Sequence, residues 1–253
     1  MTSPTVKPIK LMPRVQRKPY TPEKQKRGEA MTVGVGFLCN NGNDFILAID
    51  QQITAQGAYK IHHKKYSTDT RGFVDVAFLY SGEPGTFSAF TQKVEAFLDA
   101  QTNITLEIIQ EAIEKTVDSM KLRDSFDARL WLLVGVCELL TAPWLIVFDS
   151  KEVFRSHGGV QIIGAGDTSL IHYLSERLYR PDMTVSQGIA LGGYLIKKAT
   201  QYVDGCGEPI DVIHGDRLNI KVVPDDKVSV IIHAIEDQEG LLFTLMIQTP
   251  FRS

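Results

Sequence analysis

Apolar residues recur at every second position from Thr32 to Cys39, and a second apolar run fills Phe45–Asp50 beyond the turn Asn40-Asn41-Gly42-Asn43. A period of two marks a half-buried strand, and an Asn/Gly-rich turn between two such runs predicts an antiparallel hairpin. The polar stretch from Ala55 to Arg71, with Lys60-Ile61-His62-His63-Lys64-Lys65 at its centre, reads as a loop. Phe73–Tyr80 alternates as a strand and stops at Ser81-Gly82-Glu83-Pro84-Gly85.

The period then changes to that of a helix. Thr86–Ala100 places Phe87, Phe90, Val94 and Phe97 or Leu98 on one face, and Thr105–Leu122 does the same with Ile108, Ile109, Ile113 and Val117. Thr105 is the expected N-cap of the second helix. Leu130–Cys137 and Trp144–Asp149 predict another hairpin, and Val160–Ile163 a short strand before Gly164-Ala165-Gly166. Asp167 or Thr168 is expected to cap a helix ending near Leu178, and Thr184 to cap one reaching Tyr202. Ile210–Ile213, Leu218–Val222, Val228–His233 and Leu241–Ile247 are expected to close the chain as strands.

Strands therefore come in blocks, separated by two pairs of helices. That order does not fit the βαβ alternation of a parallel sheet. It fits an α+β, four-layer αββα sandwich in which two antiparallel sheets stack face to face, with a helix pair on each outer surface. Residues 32–253 read as one domain.

Charge sets residues 1–31 apart. The first thirty residues hold eight Lys or Arg, two Glu and five of the eleven prolines, a local charge of +6 in a chain of net charge −3. The remainder is thus acidic, at −9. Few large apolar residues interrupt the basic segment, so it is expected to form an extension or pro-segment without a fold of its own. Cys39, Cys137 and Cys206 form no paired pattern, and no apolar run reaches the ~18 residues of a membrane helix. A cytoplasmic protein without membrane or nucleic-acid partners is the expectation. Cofactor and metal are likewise not expected. In His62-His63 the adjacent residues of an extended chain point apart, and the neighbouring lysines repel a cation.

The element order, together with residues at its junctions, resembles the proteasome β-subunit family, whose members are N-terminal nucleophile (Ntn) hydrolases. Thr32-Val33-Gly34-Val35-Gly36 resembles the family's opening strand, which begins with the nucleophilic threonine. Ile46-Leu47-Ala48-Ile49-Asp50, with Thr54 four residues on, resembles its second strand. Lys64-Lys65-Tyr66 falls at the catalytic lysine, with Lys65 fitting better than Lys64, and Ser81-Gly82 matches the loop that supplies the oxyanion hole. Ile163-Gly164-Ala165-Gly166 and Tyr179-Arg180-Pro181-Asp182 match later turns.

The resemblance implies a threonine peptidase cutting peptides or unfolded proteins inside a homo-oligomeric ring, with or without an ATPase partner. Thr32 would be the nucleophile, with its own α-amine as base. Lys65 would stabilise the alkoxide, Asp50 would hold Lys65, the Gly82 amide would bind the oxyanion, and Asp204 would support the amine. An α-amine titrates near pKa ~7.7–8.0, well below a lysine, and so accepts a proton at neutral pH.

The match has departures. Met31 stands where self-processing members have glycine. Ala165 and Cys206 replace serines, and Asp204 is one place off register. An alternative alignment on Val33-Gly34 puts Ala30 at the nucleophile position and makes a non-catalytic ring or scaffold subunit. Gly164-Ala165-Gly166-Asp167 also occurs in ribokinase-like sugar kinases, but the α/β alternation of those enzymes is missing here.

Overall fold

A computed structural model describes residues 32–54, 60–121, 130–149, 151–164 and 168–248. The expected pro-segment 1–31, and with it Ala30 and Met31, lies outside these residues, as do Ala165 and Asp167.

The opening hairpin forms as read. Strand β1 (Val33–Cys39) pairs antiparallel with β2 (Asp44–Asp50), setting Val35 opposite Ala48. The turn between them holds Asn40, Asn41 and Gly42 at positive φ, a conformation that asparagine and glycine tolerate best. Two elements lie in the stretch read as loop. Gln52–Thr54 (β3) pairs with Lys60–His62 (β4), and Tyr66–Arg71 (β5) pairs with β6 (Val74–Ser81). Tyr66–Arg71 is an edge strand with no residue fully buried, so its sequence carries little apolar signal. Next come α1 (Pro84–Asp99) and α2 (Leu106–Lys121), then β7 (Trp131–Glu138), β8 (Trp144–Phe148), β9 (Val153–Ser156) and β10 (Gln161–Gly164).

Helices α3 (Ser169–Leu178) and α4 (Val185–Tyr202) follow. Thr184 caps α4 in a reciprocal box: its Oγ1 accepts from the Gln187 amide at 3.3 Å, and Gln187 Oε1 accepts from the Thr184 amide at 2.9 Å. Thr168 precedes α3 without a side-chain capping bond. The chain then forms β11 (Ile210–Gly215), β12 (Ile220–Val222) and a long helix, α5 (Asp225–Gln248).

Helix α5 corrects the expected strands Val228–His233 and Leu241–Ile247. Val-Ile-Ile is a strand-like composition, but Val228 and Ile232 are buried at the i, i+4 spacing of a helix face. Both would lie within 4 Å of a Cβ placed on Gly193, so α5 seats on α4 where α4 has no side chain. Tertiary packing overrides local propensity here. Asp225 and Asp226 in the first turn suit the helix dipole.

One sheet runs β10-β1-β2-β11-β12 and the other β5-β6-β7-β8-β9, every neighbouring pair antiparallel. Phe45, Leu47 and Ile49 of β2 meet Leu79, Leu133 and Leu145 of the other sheet between the layers. The opposite face of the first sheet, including Val35, Phe37 and Ala48, packs under α3, α4 and α5. Val76, Phe78 and Val134 pack under α1 and α2. The architecture is the expected αββα sandwich, with three helices rather than two on one side. Among the described residues no helix is long and apolar enough to cross a membrane.

Candidate active site

Four strand ends converge at one end of the sandwich. Thr32 precedes β1, Asp50 ends β2, Lys65 precedes β5 and Ser81 ends β6. Thr32 and Lys65 are each 2% exposed and Asp50 is 0% exposed. A lysine and an aspartate removed this far from water need partners, and here each has several.

The Lys65 ammonium donates to Thr32 Oγ1 at 2.6 Å, to Asp50 Oδ2 at 3.1 Å and to the Gln52 carbonyl. Three acceptors match its three protons. Asp50 Oδ1 accepts from the Val33 amide at 3.1 Å; Oδ2 accepts from the Gln52 amide at 3.2 Å and the Gly207 amide at 3.3 Å, besides Lys65. Desolvation pushes Lys65 below its ordinary value, opposed by the Asp50 charge. It pushes Asp50 upward, opposed by Lys65 and by the amides of Val33 and Gly207.

Backbone contacts fix the threonine. Ser81 Oγ donates to the Thr32 carbonyl at 3.5 Å, so the Ser81-Gly82 turn lies beside it. Gly82 follows at φ +135, a left-handed conformation that favours glycine. On the other side, Val33 pairs with Gly164, where a Cβ would lie 1.9 Å from the Thr32 oxygen. No side chain fits there, which explains the glycine singled out in the sequence.

Sequence reasoning thus named Thr32, Asp50, Lys65 and Gly82; the fold joins the first three by hydrogen bonds and sets Gly82 next to Ser81, which reaches the Thr32 carbonyl. It does not bring in Asp204. That side chain is exposed, and among the described residues no hydrogen bond joins it to the cluster. The same loop instead supplies the Gly207 amide to Asp50 and the Gly205 carbonyl to Gln52 Nε2, at 3.1 Å. Gln52 was missed. It is 4% exposed, so a buried polar residue two places after a buried aspartate was the available signal. Cys206 is buried and feels the charges of Asp50 and Lys65, with its thiol pushed up to about 12 by desolvation first and the Asp50 charge second. It is inert as a nucleophile at neutral pH.

His62 and His63 are both exposed. The metal-type grouping among the described residues, Asp44 with His214 and Asp216, lies at the opposite end of the sandwich. There Asp44 is already engaged by His214 Nε2 at 2.7 Å and Asn40 Nδ2 at 2.8 Å.

No protein-family model matches the chain, and no curated protein matches it in sequence. Solved structures do match in shape. Anbu from Hyphomicrobium sp. strain MC1 superposes with a TM-score of 0.69 at 16% identity, covering 84% of this chain and 97% of that one. Anbu from Yersinia bercovieri, described as an ancestral beta-subunit, gives 0.69 at 15% identity, over 87% and 99%. A structure of the helical assembly of the Anbu complex from Pseudomonas aeruginosa gives 0.66 at 14% identity, over 87% and 98%. Over most of its length the chain therefore has the fold of these Anbu structures.

Proposed function

We infer that the chain is a proteasome-type threonine peptidase whose nucleophile is Thr32, freed by removal of residues 1–31. One observation carries this reading. A buried lysine stands 2.6 Å from a buried threonine hydroxyl and 3.1 Å from a buried aspartate, at the start of a first strand. Core packing alone gives no reason to bury a lysine there.

In the proposed reaction the hydroxyl proton of Thr32 passes to its own α-amine, and Oγ1 bonds to the carbonyl carbon of the substrate. Lys65 stabilises the developing negative charge on Oγ1, and Asp50 keeps Lys65 oriented. The Gly82 amide donates to the carbonyl oxygen as it becomes an oxyanion; such a donor typically contributes about 3–4 kcal/mol. The C–N bond breaks as the leaving nitrogen takes the proton. Water then hydrolyses the ester on Thr32 and regenerates the hydroxyl. An amide bond between residues 31 and 32 blocks the sequence at its first step, because an amide nitrogen is not a base.

Release of Thr32 has two chemical routes. Translation from Met31 leaves a methionine that an aminopeptidase removes before threonine; in self-cleavage Thr32 Oγ1 attacks the Met31 carbonyl carbon, the C–N bond between the two residues breaks as the Thr32 nitrogen takes the hydroxyl proton, and water hydrolyses the resulting ester. Assembly into a homo-oligomer follows by analogy with the helical assembly described for one Anbu neighbour. A second reading, a non-catalytic ring or scaffold subunit, draws on Cys206 in place of a serine and on Asp204 lying away from the site. Intact-mass measurement with a peptide-hydrolysis assay separates the two. A mature N-terminus at Thr32, with hydrolysis lost in Thr32→Ala, is the expected result. A stable product that keeps residues 1–31 and hydrolyses nothing would establish the scaffold.

A further inference from the structure

Strand β3 opens on a residue that takes no part in the proposed bond changes. Gln52 is buried, and its amide, its carbonyl and its side chain each have a different partner. The amide donates to Asp50 Oδ2 at 3.2 Å, and the carbonyl accepts from the Lys65 ammonium. Any residue at this position would supply those two bonds, because both are made by backbone. The third belongs to the glutamine alone: Nε2 donates to the Gly205 carbonyl at 3.1 Å. Burial removes water as an alternative partner, so losing this donor leaves a carbonyl unpaired.

Gly205 lies in the turn between α4 and β11. Val203 and Cys206 of that turn are buried, and the Cys206 amide donates to the Val203 carbonyl at 3.2 Å. Gly205 stands between them at φ +86, a left-handed conformation that glycine adopts without strain. Two residues on, the Gly207 amide donates to Asp50 Oδ2 at 3.3 Å. The direction of that amide depends on the shape of the turn.

The glutamine grips the turn at two points. Besides the bond to Gly205, it packs against Gly207, where a Cβ would lie 2.0 Å from Gln52 Oε1 and 2.6 Å from its Cδ. The side chain thus lies under the turn, pulling on one glycine and bearing on the other. Asp204, between the same residues, points to solvent and does not anchor the turn to the site.

We propose that Gln52 is a positioning residue, whose side chain clamps the 203–207 turn so that the Gly207 amide meets Asp50, which in turn holds Lys65 against Thr32 Oγ1. Without the clamp Asp50 keeps Lys65 and the amides of Val33 and Gln52, so the ion pair survives while its geometry loosens. A small misplacement of a catalytic group is enough to slow a reaction severely. The effect on hydrolysis rests on the threonine-peptidase reading above; the clamp itself does not.

The test uses the full-length chain as expressed. Gln52→Met keeps the length of the side chain and removes its donor. It is expected to speed the slow labelling of Cys206 by a thiol reagent at pH 7 roughly tenfold as the turn opens, while Cys39 and Cys137 label no faster. In the same variant kcat for peptide hydrolysis should fall roughly tenfold with KM changed by less than about twofold, the mark of a disturbed site rather than weaker substrate binding. Gly207→Ala strikes the same contact from the other side and should act alike. Gln52→Ala makes room for that methyl group, so adding Gly207→Ala to it should change little further, a coupling that independent positions lack. Unchanged Cys206 labelling in Gln52→Met would overturn the proposal, and so would faster labelling that leaves kcat intact in an active parent. Equal acceleration at all three thiols would overturn it too, because the glutamine would then support the whole core. A parent chain that hydrolyses nothing removes the peptidase reading, and the Cys206 rates then decide the clamp alone.

Discussion

Strand β2 begins and ends on an aspartate, and the two make a controlled comparison. Asp44 and Asp50 are both largely buried, lie seven residues apart inclusive, and sit in the same sheet. Asp44 accepts from a half-buried histidine and an asparagine, groups that remain in reach of water. Asp50 accepts from three backbone amides and a lysine that is itself buried. Residue type and strand position are shared, so the difference lies in what the surrounding elements deliver. At one end these are turns. At the other they are the Lys65 side chain and the amides of Val33, Gln52 and Gly207, which close around a hydroxyl.

Breaking the Asp50 end should have the largest effects. Thr32→Ala is expected to abolish peptide hydrolysis, by roughly a thousandfold or more, while changing stability by about 1 kcal/mol or less. Lys65→Ala should lose activity to the same extent and also about 3–5 kcal/mol of stability, because Asp50 is left buried and unpaired. Denaturant midpoints with and without Asp50→Asn check this. The double variant Asp50→Asn/Lys65→Met should recover most of the stability and none of the activity. If Lys65→Ala proves neutral for folding, the buried pair is not what the geometry says it is.

Gly164→Ala comes next. A methyl group 1.9 Å from the Thr32 carbonyl must displace the start of β1, so hydrolysis should fall roughly tenfold to a hundredfold through misplacement of Oγ1. At the Asp44 end, Asp44→Asn should cost only about 0.5–1.5 kcal/mol and leave hydrolysis unchanged. Equal losses from Asp44→Asn and Asp50→Asn would erase the distinction between the two ends. The smallest effect concerns the thiols. Burial pushes Cys39 and Cys206 up to about 12, so the thiolate is scarce at neutral pH at either end. Neither should react with a thiol reagent at pH 7 until denaturant is added, and rapid labelling of the native chain would contradict the burial described.

The sandwich was readable because its central strands are buried on both faces, and such strands must be apolar throughout. β1, β2, β6, β7 and β8 declared themselves in that way. Elements of low burial did not. Tyr66–Arg71 is polar because it pairs along only one edge, and α5 has a composition that serves a strand as well as a helix. At the site, Asp50 was legible as a carboxylate ending an apolar strand, whereas Thr32, Lys65 and the Ser81-Gly82 turn were named through the family resemblance, Lys65 from a stretch read as loop. Gly205 and Gly207 were not legible, because they act through backbone groups, which every residue carries, and neither was Gln52, whose backbone serves Asp50 and Lys65 while its side chain reaches the Gly205 carbonyl. Asp204 was misplaced for the converse reason. A carboxylate suggests a role by its chemistry, but the loop geometry turns it to solvent and presents an amide instead.

The chain's own order of apolar and polar residues determined that two antiparallel sheets form and where their strands stop. Hydrophobic burial is non-directional and follows composition, so it can be read along a line. Which groups meet at those ends was decided only by the folded arrangement. A hydrogen bond needs atoms within about 3 Å, and here they come from residues 2 to 157 positions away from Asp50 in sequence.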